Sequence, residues 1–336
     1  MSIGKLAITG FPGWLTTALL DDLLAHPAQA PDELVLLAHP ANMSAAATAA
    51  ARYPWRSSVV PLELGAPLSV TDALRGVDVL VHTAAVIHVR RTDDWYRINT
   101  QGTIALANDA KRAGVSRFVM ISSIAAAGKS LPDRHLVEED ASKPMHHYGR
   151  SKLLAERALL ELHEPGKFEV VILRPSMFYG PPVPQRHIDV YKRILTGQMP
   201  LVGGGNFNRS LIHIDNLTQA VRLAMVTPRA AGQTYFIVDR SIYTTRSVVE
   251  AMAEALGTKP RYVHLPAFMA EGAYQVDRAL AAAGIYVTPI HLLGEAHWHQ
   301  SASCSKAERD LGYAPAVELR EGMHGAIAWC RTAGKL

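Results

Sequence analysis

Tyr148 and Lys152 stand four residues apart in the stretch HHYGRSKLLAER (146–157). On a helix four residues make about one turn, so both side chains share a face and their polar tips can meet at one ligand. A phenol beside an ammonium is a proton-transfer pair, because the cation favours the phenolate of a group whose free pKa is about 10. A chain with eleven tyrosines can place one near a lysine by chance. Its meaning therefore rests on the elements around it.

A second chemical group is TGFPGWLT (9–16). It follows the short apolar run KLAITG (5–10) and precedes the helical stretch WLTTALLDDLLAH, so it is a strand-to-helix turn. Gly10 and Gly13 let the backbone turn tightly and approach a pyrophosphate, whose charge then sits at a helix N-terminus. Thr16 occupies the third glycine position, and two glycines alone also fit an ordinary tight turn. The second strand ends Ala38-His39-Pro40 with no Asp or Glu to take an NAD ribose. That absence removes repulsion against a 2′-phosphate, which His39 or Asn42 could contact, so NADP(H) is expected over NAD(H).

These residues need a scaffold that brings strand ends together, and the chain has its rhythm. ELVLLA (33–38) precedes the alanine-rich 43–52, VDVLVHTAA (77–85) precedes 93–113, SRFVMISS (116–123) precedes the helix of Tyr148, and FEVVILRP (168–175) adds a strand. Buried strands alternating with helices imply an α/β fold with a doubly wound parallel sheet. Its ligands bind at the carboxyl ends of the strands.

Composition narrows the setting. A chain of 336 residues with formal charge +4 can bury a large core and carries no concentrated basic face, so nucleic acid is not implied. Cys304 and Cys330 cannot form a disulfide framework, and no Cys/His cluster has metal-ligand spacing, so no metal is expected. No run of about eighteen apolar residues suggests a membrane span, and a cytoplasmic protein without a membrane partner is expected.

In order along the chain, TGFPGWLT, HTAA (82–85), RINTQGT (97–103), MISSIAAAG (120–128), YGRSK (148–152) and LRPSMFYGP (173–181) together resemble the extended short-chain dehydrogenase/reductase family, the NAD-dependent epimerase/dehydratase superfamily. The resemblance implies a Rossmann-type sheet with a smaller interleaved C-terminal substrate-binding region. Residues 1–175 would bind NAD(P), with 211–245 returning to that domain, and 176–210 with 246–336 would bind substrate. It implies a catalytic group of Ser123, Tyr148 and Lys152, with Asn99 either supporting it or serving as a structural helix cap. Ser123 is selected over Ser122 because the family's hydroxyl lies five residues before the glycine that closes its stretch, here Gly128. Cofactor contacts are implied for Gly10, Pro12, Gly13, Trp14, Leu15, His39, Leu64, Ala84, Ala85, Lys152 and Pro175.

The second half bears on substrate. AGQTYFIVD (231–239) and SCSKAERDLGYAP (303–315) resemble the 3β-hydroxysteroid dehydrogenase-like branch, and 265–293 has apolar residues at helical spacing that could roof an apolar pocket. His88 and Tyr179 are candidate substrate contacts or ordinary loop residues. Arg209, four residues before His213, matches an arginine that clamps the diphosphate in sugar-nucleotide relatives, or else forms a surface salt bridge; Asn216 stands where those relatives carry Asp. The leading expectation is an NAD(P)-dependent oxidoreductase that interconverts a carbonyl and a secondary alcohol on a mainly apolar small molecule. The alternatives are an NDP-sugar epimerase/dehydratase and a redox-silent dinucleotide-binding regulator. A homodimer is expected, built from 93–113 and 148–163 as a four-helix bundle.

Overall fold

Runs such as Leu34 to Leu37 have no polar face, so they are stable only where both sides of a sheet are covered. In the computed structural model, which describes residues 3–67, 69–197 and 199–336, they are covered. The first half runs β1 (Lys5–Thr9), α1 (Trp14–Ala25), β2 (Glu33–Ala38), α2 (Met43–Ala50), β3 (Arg56–Pro61), β4 (Val79–His82) and α3 (Asp93–Trp95). A π-helical segment (Tyr96–Gly102) then leads into α4 (Thr103–Ala113), followed by β5 (Arg117–Ile121), α5 (His147–Leu162) and β6 (Glu169–Pro175). β7 (Met177–Tyr179), α6 (Gln185–Thr196), β8 (Met199–Val202), β9 (Asn208–Arg209), β10 (Leu211–His213), α7 (Ile214–Val226) and β11 (Thr234–Ile237) come next. The chain ends with β12 (Tyr243–Thr244), α8 (Thr245–Leu256), β13 (Tyr262–Leu265), α9 (Ala267–Ala282), α10 (Thr288–Glu295), α11 (Ser305–Leu311) and α12 (Leu319–Thr332).

Seven of these strands form one parallel sheet in the order β11-β6-β5-β4-β1-β2-β3, a Rossmann-type α/β fold. The order reverses between β1 and β4, and a crevice opens at the carboxyl ends there. One apolar core lies on the α1 and α7 side of the sheet and a second on the α4 and α5 side. A third sits beneath α6, α8 and α12.

Two local departures from the sequence pattern matter. The edge strand β3 is mostly exposed, so it lacks the apolar run that marks its neighbours. The stretch 93–113 is not one regular helix: at the π-helical turn, Asn99 turns inward and bonds to Val86, and such widened turns recur at functional sites. Among the described residues no helix is long and apolar enough to cross a membrane.

Candidate active site

β1 ends in a turn that only glycine tolerates. Gly10 has φ +80°, and a Cβ there would fall 2.7 Å from the Thr83 hydroxyl oxygen. Gly13 precedes α1 and offers no side-chain cap, so the first amides of this twelve-residue helix face the crevice without a protein oxygen from a capping side chain. A dinucleotide diphosphate fits that donor set. Thr16, in the place of a third glycine, is buried and turns its hydroxyl back to the Gly13 carbonyl at 2.8 Å, so the turn closes without glycine there. Leu15 packs in the core, which leaves its amide rather than its side chain for a ligand, and Trp14 lies on Phe178 with 4.7 Å between ring centroids.

The turn after β4 is tied to the turn after β1. The Thr9 hydroxyl accepts from the amides of Thr83 and Ala84, both at 3.1 Å, and pairs with His82 Nδ1 at 2.8 Å. His82 Nε2 meets the Thr103 hydroxyl at 2.9 Å. Burial, with the Lys152 charge adding to it, holds His82 at a pKa of about 3, so this ring is a neutral strut. Ala84 and Ala85 therefore line a fixed rim. Leu64 packs under it on the second core, Pro175 closes β6, and Pro12 lies within the first turn. His39 lies outside on the surface, with its Nδ1 accepting from the Ala41 amide at 3.2 Å.

Tyr148 and Lys152 both belong to α5, whose leucine- and alanine-rich body favours a helix and whose end is followed by Pro165. The start of α5 lies tight against the turn after β5. A Cβ on Gly149 would collide with the Ala125 carbonyl oxygen, so glycine permits the approach. Across that contact the Ser123 hydroxyl, which accepts from the Ala125 amide at 3.2 Å, lies close enough to the Tyr148 phenol to lower its pKa. Ser122 points away, into a buried cluster where its hydroxyl donates to Glu156, and Glu156 is held by Arg174 at 2.6 Å. Removing one member of such a buried ion pair costs about 3–5 kcal/mol, so this cluster anchors α5 to β6.

Lys152 is 1 % exposed, and its Nζ donates to the Ile121 carbonyl at 2.7 Å. Burial pulls its pKa down to about 8, against the partial support of Glu156. Tyr148 moves the other way: burial raises it, while the Ser123 hydroxyl and the Arg186 charge lower it. The resting pair is a neutral phenol beside an ammonium that is close to losing its proton.

Asn99 is brought near this group but is fully occupied. Its Oδ1 accepts from the Val86 amide at 2.9 Å, and its Nδ2 donates to the Val86 carbonyl at 2.9 Å and to the Ser151 hydroxyl at 3.3 Å. It ties the turn after β4 to α5. His88 stands at the mouth, with Nδ1 3.2 Å from the Tyr286 hydroxyl. Tyr179 lies elsewhere: it is 2 % exposed and donates to Asp239 at 3.1 Å, so the substrate contact expected of it is corrected to a place in the core. The sequence pattern continues past β6 there, but β7 turns its aromatic ring inward.

The second half supplies the opposite wall. A narrow cleft is lined by Tyr148, His146, His291, Glu295, Trp298 and Gln300, among others. The apolar lid expected from 265–293 is inverted in part: Phe268, Met269, Val276, Ile285 and Leu292 face solvent. The inward residues of α9 and α10 include Asp277 and His291, so helical spacing marked the wrong face as the lining. Arg209 does not form a surface salt bridge. Its Nη2 donates to the Glu295 carbonyl at 3.0 Å and its Nε to the Thr245 hydroxyl at 3.3 Å. Burial lowers its pKa. Arg186, which acts on both Tyr148 and His88, is a charge at the site that no spacing in the sequence marks.

Comparison with known proteins shows the family. The family described as NAD dependent epimerase/dehydratase matches residues 6–238. The uncharacterized protein y4nL of Sinorhizobium fredii is 38% identical over 265 residues, 76% of this chain and 74% of that one. The UDP-glucose 4-epimerase of Vibrio cholerae is 34% identical over 192 residues, 54% of this chain and 58% of its own length. A 4-hydroxy-2-methyl-3-oxo-4-farnesyl-3,4-dihydroquinoline-1-oxide ketoreductase of Stigmatella aurantiaca is 28% identical over 268 residues, 76% and 78% of the two chains.

Proposed function

The protein belongs to the NAD-dependent epimerase/dehydratase family of extended short-chain dehydrogenases and reductases, and from that premise we propose that it interconverts a carbonyl and a secondary alcohol with Tyr148 as acid and base. The observation that carries the reading is the packing of the start of α5 on the turn after β5, which brings Tyr148 to the Ser123 side of the cleft with the buried Lys152 one turn along the same helix.

The Gly10–Gly13 turn and the start of α1 would hold a dinucleotide diphosphate, Ala84, Ala85, Leu64 and Pro175 would line its path, and Lys152 would hold the nicotinamide ribose. The nicotinamide, when bound, supplies or accepts the hydride. In the reductive direction Ser123 donates a hydrogen bond to the carbonyl oxygen, which polarises the bond. Tyr148 then gives its proton to the developing alkoxide. The Lys152 ammonium and the Arg186 charge stabilise the phenolate left behind. Asn99 acts as a positioning residue, because its amide is spent on Val86 and Ser151.

The substrate-binding region is proposed as 176–210 with 246–336, and the rest, including the returning β11, as the dinucleotide-binding part. The polar inward face of α9 and α10 supports a substrate that carries oxygen or nitrogen functions, not a wholly apolar one. NADP(H) is proposed over NAD(H) because β2 ends without a carboxylate. A homodimer through α4 and α5 is proposed on the exposed Leu154 and Leu160 of α5; a monomeric mass by light scattering at micromolar concentration rejects it.

One observation favours a second reading, an NDP-sugar epimerase or dehydratase. Among the described residues Arg209 forms no salt bridge, and its half-buried guanidinium, held by the Glu295 carbonyl and the Thr245 hydroxyl with the Glu295 charge nearby, is suited to a diphosphate. Calorimetric titration of the cofactor-stripped chain with NADP⁺ and NAD⁺, followed by UDP and by a ketone probe, separates the two. Dinucleotide binding and a further response to the ketone alone support the reductase. A response to UDP that Arg209→Ala abolishes makes the second reading the better one, and failure to bind either dinucleotide rejects both.

A further inference from the structure

One group of side chains on the lid wall takes no part in hydride transfer. His146 stands just before α5, Asp277 in α9 and His291 in α10, and one donor atom from each lies within 4.8 Å of the others. Asp277 Oδ2 is 3.0 Å from His291 Nδ1 and 3.3 Å from His146 Nδ1. Glu295 sits at the other edge of both rings, with its Oε1 3.5 Å from each Nε2.

This cluster is short of partners. Asp277 is 3 % exposed, and among the described residues it accepts one hydrogen bond, from His291. His146 Nε2 is buried and makes no hydrogen bond among the described residues. A carboxylate withdrawn from water is costly unless it is paired, well hydrogen-bonded or bound to a metal. With both imidazoles neutral, two N–H protons serve four ring edges that face carboxylates, a shortfall that protonation of the rings or a bound cation makes good.

The spacing suits such a cation. Zinc binds imidazole nitrogen and carboxylate oxygen at about 2.0–2.2 Å, which puts tetrahedral ligands roughly 3.3 Å from one another. The two Asp277 separations lie at or just inside that value. The rings are also braced, since Trp298 stacks on His146 at 4.9 Å and Tyr274 meets it edge-on at 5.6 Å. Nitrogen donors disfavour magnesium and calcium, which prefer an all-oxygen shell.

We propose that His146, Asp277 and His291 form a binding site for a divalent transition-metal ion of the zinc class, with Glu295 at its edge. Two imidazoles and one carboxylate leave a coordination position free, and the cleft that holds Tyr148 lies beside it. The ion fastens α9 and α10 to the residue two before Tyr148, so its occupancy sets how the lid sits over the site. The proposal does not depend on the hydride-transfer reading, since the same three residues would bind metal in a redox-silent protein.

The test uses tag-free, full-length protein stripped with a chelator and titrated with Co²⁺ by visible absorption, then with Zn²⁺ in competition. One equivalent of Co²⁺ with an intense four- or five-coordinate band, displaced by Zn²⁺, is expected. Asp277→Asn and His291→Ala should each weaken binding by more than about 100-fold, while His297→Ala leaves it unchanged. Melting curves confirm that the variants fold, and His291→Gln replaces His291→Ala where that one does not. Failure of the wild type to take up one equivalent, or equal uptake by the Asp277 and His291 variants, overturns the site and leaves a metal-free hydrogen-bonded cluster.

Discussion

On the strand-end wall of the cleft the buried groups around Tyr148 are bonded to one another, His82 at both nitrogens, Asn99 at both amide atoms, and Glu156 by Ser122 and Arg174, while Trp14 Nε1 and Ser176 Oγ at the rim make no hydrogen bond among the described residues. On the lid wall His146 Nε2 and His297 Nδ1 make no hydrogen bond among the described residues, and Asp277 accepts one, from His291, with His146 Nδ1 3.3 Å away. In the first wall the bonds from Asn99, Thr100 and Ile121 hold α5, and with it Tyr148 and Lys152, against the sheet. The second is a less fully bonded polar surface, which the proposed metal ion would complete. Chemistry that must be in place before substrate arrives is built on the sheet, and recognition is built on the helices that cover it.

The sharpest way to break the strand-end wall is Tyr148→Phe. Loss of the proton donor should lower turnover by about 10³-fold, within the usual range for general acid–base groups, while dinucleotide affinity stays within a few-fold by calorimetry. Retained turnover would reject the assignment of Tyr148. A subtler break is Gly149→Ala, which pushes α5 off the Ala125 carbonyl and misaligns Tyr148 against Ser123. A displacement of about 1 Å costs roughly 10²-fold, so kcat should fall by that order with KM little changed; an unaltered kcat would show that the close approach is not needed.

Asn216 sharpens the comparison from the joint between the two walls. Its Nδ2 donates to Asp239 at 2.8 Å and to the Val317 carbonyl at 2.9 Å, and its Oδ1 accepts from the amides of Ala316 and Val317. Asp239 is already raised to a pKa of about 6, chiefly by burial. Asn216→Asp would set a second carboxylate against it and should destabilise the fold by about 3 kcal/mol, read by urea unfolding at pH 7. A stability equal to wild type would mean that the joint relaxes.

The smallest effect is in pH dependence. Lys152 has a folded pKa of about 8 against an ordinary 10.5. Between those values the folded protein has lost a proton that the unfolded chain keeps, so this residue makes stability rise with pH across that window. Below about pH 8 the burial of its charge is a full cost. The stability advantage of Lys152→Met over wild type should therefore shrink by about 2 kcal/mol from pH 8 to pH 10; a constant difference would show that Lys152 titrates normally.

Much of the strand-end wall was legible. Short apolar runs ending in Gly10, His82 and Ser123, spaced by helices, allow little besides a parallel sheet with those residues at its rim. Ser123 and Tyr148 could be paired through the family pattern, although the contact itself depends on Gly149. Arg186 was not legible as a site charge, and neither was the inward turn of Tyr179, because nothing in their local spacing records what packs against them. β3 escaped because an exposed edge strand needs no apolar run.

The lid shows the limit most clearly. A 3.6-residue period reveals that one face of 265–293 is apolar, but not whether that face meets the cleft or solvent. Here Phe268, Val276 and Leu292 point outward, and Asp277 and His291 point in. The sequence by itself determined the sheet, the glycine turn after β1 and the one-turn spacing of Tyr148 and Lys152, because each is written in neighbouring residues whose backbone geometry is local. Only the tertiary structure decided that His146 meets Asp277 and His291 from more than a hundred residues away. A convergence of that kind follows from how the helices pack, and no short stretch of chain contains it.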